Sequence, residues 1–125
     1  INTNFSNMKF KFEDLEVYKK TLLFIDFVYK ITEAFPKEET YGLISQFRRA
    51  AVSIALNIAE GSGGSKKEFS RYLVIASNSL KECVVCISIA RNQNYITSED
   101  QNKMRADLIE ISKMIFGLKR YLLKE

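Results

Sequence analysis

The chain has 125 residues, of which 46% are hydrophobic and 27% charged, with a formal net charge of +4. That length suits one domain with one continuous core, and the composition is that of an ordinary globular chain and excludes disorder. With only one proline and five glycines there is material for few turns, so the elements must be few and long.

In chain order, residues 1–11 form a polar N-terminal extension without the apolar centre of a secretion signal. The expected compartment is therefore the reducing cytoplasm. No apolar run approaches the roughly 18 residues that a membrane span requires, and no membrane is expected as a partner. A first helix is predicted over about 13–34, ended by Pro36, which disfavours helical geometry at the residue before it. A second is predicted over about 41–60, ended by the run Gly61-Ser62-Gly63-Gly64-Ser65, whose glycines suit a left-handed helix stop. The third covers about 66–93 and the fourth about 98–123, the latter capped by Thr97 with acids in its first turn. Short connections between long helices imply an all-α, antiparallel up-down four-helix bundle, one domain over residues 1–125.

Periodicity identifies the seams. Helix 3 places Phe69, Leu73, Ala76, Leu80, Cys83, Ile87 and Ala90 at alternating steps of four and three, and helix 4 does so with Met104, Leu108, Ile111, Ile115, Leu118 and Leu122. Helix 1 carries two apolar stripes. One is Leu15, Tyr18, Leu22, Ile25 and Tyr29; the other is Val17, Phe24, Val28, Ile31 and Phe35. A helix apolar on two faces is covered on both. The second stripe, with Val17, Phe24, Val28 and Ile31, is read as the contact to other copies, so a homo-oligomer is expected. Ile109, Phe116 and Leu123 form a similar second stripe on helix 4.

Catalytic chemistry has little to draw on. The chain has no histidine, the commonest general acid–base and zinc ligand. The glycine run follows a helix and lacks phosphate-loop spacing. Cys83 and Cys86 lie deep inside helix 3 rather than at a helix start, and no further Cys or His could complete a zinc site, so both are read as packing residues. Neither an enzyme, nor a cofactor, nor a metal is expected.

Charge is informative once located. Residues 41–98 hold the bases Arg48, Arg49, Lys66, Lys67, Arg71, Lys81 and Arg91 against the acids Glu60, Glu68 and Glu82, which accounts for the whole excess of +4. A basic region of this kind suits RNA, DNA or an acidic protein partner. Two polar stripes stand out: Gln46, Arg49, Ser53, Asn57 and Glu60 on helix 2, and Lys67, Arg71, Asn78 and Glu82 on helix 3. They suit either a phosphate site or an ion-pair network between the two helices. Arg48, Arg49, Lys66, Lys67 and Arg71 are the candidate nucleic-acid contacts.

Several stretches resemble a known family. Phe12-Glu13-Asp14-Leu15-Glu16-Val17-Tyr18-Lys19, Phe35-Pro36-Lys37-Glu38-Glu39, Gln46-Phe47-Arg48-Arg49-Ala50-Ala51-Val52-Ser53-Ile54 and Asn57-Ile58-Ala59-Glu60-Gly61 are similar to the motifs of four-helix-bundle proteins encoded in 23S ribosomal RNA intervening sequences. The resemblance continues through Ser65-Lys66-Lys67-Glu68-Phe69 and Ser79-Leu80-Lys81-Glu82, covering about Phe12 to Ile96. It implies a bundle that assembles into a ring, often a pentamer. A related branch, the accessory variability proteins of diversity-generating retroelements, implies a basic pentamer bound to nucleic acid and a protein partner. Ala55-Leu56 stands where that family often has Pro-Ser, so helix 2 should run straight. Gly64 stands at a commonly basic position, and Val84 where a second glutamate is common. The expected function is a non-enzymatic, ring-forming bundle that binds RNA or DNA through helices 2 and 3. The alternative is an oligomeric protein-interaction scaffold without nucleic-acid binding.

Overall fold

In the computed structural model, which describes residues 8–124, four α-helices follow one another: α1 (Glu16–Thr32), α2 (Leu43–Ser62), α3 (Lys66–Asn92) and α4 (Ser98–Leu122). A 3-10 turn (Lys11–Asp14) precedes α1, and another (Lys37–Glu39) lies between α1 and α2. Each helix packs on its neighbours in the order α1, α2, α3, α4 and back to α1, and among the described residues the diagonals make no close approach. The result is the expected up-down square bundle. Residues 1–7 of the expected N-terminal extension lie outside the described residues.

Local chemistry sets the boundaries. Ser65 accepts a hydrogen bond from the Glu68 amide at 3.1 Å while Glu68 accepts from the Ser65 amide at 3.0 Å, a reciprocal cap that starts α3. Thr97 accepts from the Asp100 amide at 3.0 Å and starts α4 as expected. The first predicted helix begins later than expected, because Leu15 is extended (ψ 129°) and divides the 3-10 turn from α1. That break brings the Phe12 ring edge-on to Tyr18 at 5.0 Å. No break interrupts α2 at Ala55-Leu56.

The glycine run is corrected in its role. Among the described residues no glycine has positive φ, and the left-handed residue is Asn94 (φ 63°) after α3, where the Tyr95 amide reaches back to the Ala90 carbonyl at 2.9 Å. Gly61 is needed for another reason: a Cβ there would stand 2.6 Å from the Tyr72 Cβ. Small residues such as Ala50, Ala51, Gly61, Ala76 and Ser79 let α2 and α3 come together more extensively than any other pair.

The stripe expected between subunits is the chain's own core. Val17 (4% exposed), Phe24 (1%) and Val28 (0%) are buried against the other helices, and Ile31 is partly buried against the same cluster. The other stripe of α1 is divided: Leu15, Tyr18 and Ile25 pack against the edge of the core, while Leu22 and Tyr29 are exposed. Helix α3 reaches a mean hydropathy of 1.6 over 18 residues, long and apolar enough to span a bilayer by composition alone. Its apolar seam, Leu73, Ala76, Leu80, Cys83 and Ile87, is spent on the bundle core.

Candidate functional site

The expected bases do not gather at one place. Arg48 is held in the structure: its Nε donates to Thr32 Oγ1 at 2.9 Å, Nη2 donates to the Tyr29 carbonyl at 3.3 Å, and the guanidinium lies 4.6 Å from the Tyr29 ring centroid. Thr32 in turn donates to the Val28 carbonyl, so Arg48 staples α2 to α1. Arg49 is exposed on the outside of α2. Lys66 and Lys67 open α3 at the other end, roughly 20 Å away at 1.5 Å per helical residue. Lys67 and Arg71 are exposed on the outside of α3.

Neutral groups join the polar stripe of α2 to the buried Ser79 of α3. The hydroxyls of Ser53 and Ser79 share a hydrogen bond at 2.8 Å, and Asn57 donates to the Ser53 carbonyl at 2.8 Å. The ion-pair network considered between these helices does not form among the described residues, because Arg49, Glu60, Arg71 and Glu82 all point to solvent. Ion pairs cross helices elsewhere. Lys20 of α1 reaches Asp107 and Glu110 of α4, each at 3.2 Å, and these hydrogen bonds, Glu110 first, raise its pKa.

That pairing sorts charge by face. With Asp107 and Glu110 drawn towards α1, the outer stripe of α4 reads Asn102, Ala106, Ile109, Lys113, Phe116, Arg120, Leu123, every one exposed. Beside it Arg105 lines the groove to α3 with Val84 and Ile109. The outer stripe of α3 reads Lys67, Arg71, Val74, Asn78, Lys81, Val85, Ile89, Asn92, again all exposed. Neither row itself contains an acid, and the exposed Glu82 flanks the α3 row on its α2 side. Among the described residues Lys67, Arg71, Lys81, Arg105, Lys113 and Arg120 form no ion pair. Of these, Lys81, Arg105, Lys113 and Arg120 were missed as candidates. The signal was present: the same four-three spacing that marks the core, read on the opposite side of each helix.

The opposite face, α1 with α2, differs. Tyr29, Arg48, Arg49, Val52, Ser53 and Leu56 line a shallow concavity of about 360 Å³, and Leu56 is 63% exposed. Exposed acids Asp26, Glu33 and Glu60 lie on the outer sides of these two helices. Inside the bundle, burial pushes the Cys86 thiol up to about 11 and the Cys83 thiol further. Both are neutral, packed sulfurs with no access to substrate.

The family model described as 23S rRNA-intervening sequence protein matches residues 13–117. Among solved structures, a protein of unknown function from the S23 ribosomal protein family of Bacteroides thetaiotaomicron VPI-5482 is similar at a TM-score of 0.76. It is 24% identical, with 83% of this chain and 98% of that chain covered, a likeness of fold. No curated protein matches the chain at a significant level.

Proposed function

This chain belongs to the 23S rRNA-intervening sequence protein family, and we infer that it is a non-enzymatic helical bundle that binds RNA or DNA through the face of α3 and α4. One observation carries this reading. Two adjacent exposed stripes running the length of the bundle hold Lys67, Arg71, Lys81, Lys113 and Arg120, with Arg105 between them, and the exposed Glu82 at the edge of the α3 stripe is the carboxylate beside them. Bases without acid partners keep their full charge for an external anion, and a row of them suits the regular charge of a phosphate backbone. Compared with the surface expected on α2 and α3, the proposed site keeps Lys67 and Arg71, gives up Arg48 to the α1–α2 contact, and leaves Arg49 on another face.

Binding of this type depends on salt and barely on sequence. Fluorescence anisotropy with mixed-sequence oligonucleotides should show affinity at low salt that falls steeply as salt rises. The pair Lys81→Glu and Lys113→Glu should weaken binding to all sequences, and each lost phosphate contact should flatten the log–log salt slope by about 1. Unchanged affinity in that double variant overturns the reading.

The exposed Leu22, Tyr29 and Leu56 of the α1–α2 face favour a second reading, self-association. A heterologous contact between that face and a different face of the next copy builds a closed ring, for which five copies is the expectation, and a ring repeats every basic stripe around its circumference. An oligomeric scaffold for a protein partner needs only this part of the argument.

A further inference from the structure

Gly117 lies inside α4, exposed, and a Cβ added to it would meet nothing within 4 Å. The fold has no steric use for glycine at this position, although glycine is among the poorest residues for a helix interior. What the missing side chain leaves is a shallow concavity of about 290 Å³ bounded by Arg120, Tyr121 and Lys124. Tyr121 is 70% exposed beside it, and Phe116, 61% exposed, stands one residue before the glycine. The Arg120 guanidinium sits 5.8 Å from the Phe116 ring centroid. Bare helix backbone is thus flanked by Tyr121, Arg120 and Lys124 at the C-terminal end of α4, where the outer row meets the row that runs from Glu110 on the α1 side.

We propose that this concavity binds an unstacked base of single-stranded nucleic acid. The proposal rests on reading the α3–α4 face as a nucleic-acid surface, and it names which form of nucleic acid that surface prefers. A flat heterocycle can approach backbone only where no Cβ intervenes, as at Gly117. Tyr121 and the Arg120–Phe116 pair offer π and cationic surfaces on which any base can stack. Lys124 and Arg120 neutralise the phosphates on either side. A duplex hides its base faces inside the stack and meets only the cations, so the two forms separate on this site.

The experiment compares a fluorescent single strand with a duplex of equal length, titrated against the intact chain and two variants. Gly117→Leu fills the concavity with a better helix former, so the variant should melt at a higher temperature and yet bind the single strand several-fold more weakly. Tyr121→Ala should weaken single-strand binding roughly tenfold, the scale of one lost base stack. Duplex affinity should stay unchanged in both. Wild-type single-strand affinity in both variants overturns the proposal, and the nucleic-acid reading survives if Lys81→Glu with Lys113→Glu weakens binding to both probes. If the intact chain binds neither probe at low salt, both readings fall together.

Discussion

Tyr95, just beyond α3, donates its phenol hydrogen to Oε2 of Glu39 at 2.9 Å, while Oε1 of the same carboxylate accepts from the Leu43 amide at 3.1 Å. One side chain therefore ties the α3–α4 connection to the α1–α2 connection and also caps α2, whose N-cap residue, Gly42, has no side chain for the task. The hydrogen bond to Glu39, ahead of burial, raises the Tyr95 pKa from 10.0. A raised folded-state pKa gives stability that is fully present below the unfolded value and lost as pH rises through the folded one. In an ultraviolet titration, Tyr95→Phe should remove a step that lies above the ordinary tyrosine value. Glu39→Ala should cost about 1 kcal/mol in urea unfolding, through loss of the α2 cap.

The two stripes of α1 make opposite predictions. Phe24 is core, so Phe24→Ala should destabilise by about 3–5 kcal/mol, and Phe24→Asp should abolish helicity rather than dissociate an assembly. Leu56 is outside, so Leu56→Asp should leave the melting curve nearly unchanged. If copies meet through the α1–α2 face, light scattering should give a multiple of 14.4 kDa for the intact chain and a smaller mass for Leu56→Asp. A monomer at every concentration rejects self-association.

Cys83 and Cys86 should resist alkylation in the folded protein at pH 8 and react on unfolding, because burial keeps both thiols protonated. Both folded-state values lie above the ordinary 9.0, so the stabilisation they carry is complete below about pH 9 and declines as pH rises towards 11 and beyond. A strong chelator should leave helicity and melting unchanged. Rapid labelling of native protein would show that α3 opens at its centre.

Helices and their seams were legible because they are local. Leu73, Leu80 and Ile87 recur with the helical period, and that period alone says they share a side. Proline and threonine marked helix ends for equally local reasons: Pro36 restricts the residue before it, and Thr97 has the right oxygen for an amide three residues on. The glycine run was read too generally. What Gly61 provides is clearance for Tyr72, a residue eleven positions away, and no pattern in the run announces that.

A helical wheel shows that α1 has two apolar stripes but contains nothing to say which one faces inward. That was decided by where α2, α3 and α4 stand around it: they close over Phe24 and Val28 and leave Leu22 and Tyr29 outside. Charge followed the same logic. Counted along the chain, the five bases of α4 are nearly offset by its four acids, so the segment shows an excess of only one. In three dimensions Lys20 pairs with Asp107 and Glu110 on the α1 side, and Lys113 and Arg120 are left on an outer row of α4 that holds no acid. The sequence by itself determined the helices, their order and the residues available for a core, since these depend on neighbours within a turn or two. Only the tertiary structure decided which stripe became core and which face became basic, since both depend on side chains brought together from different helices.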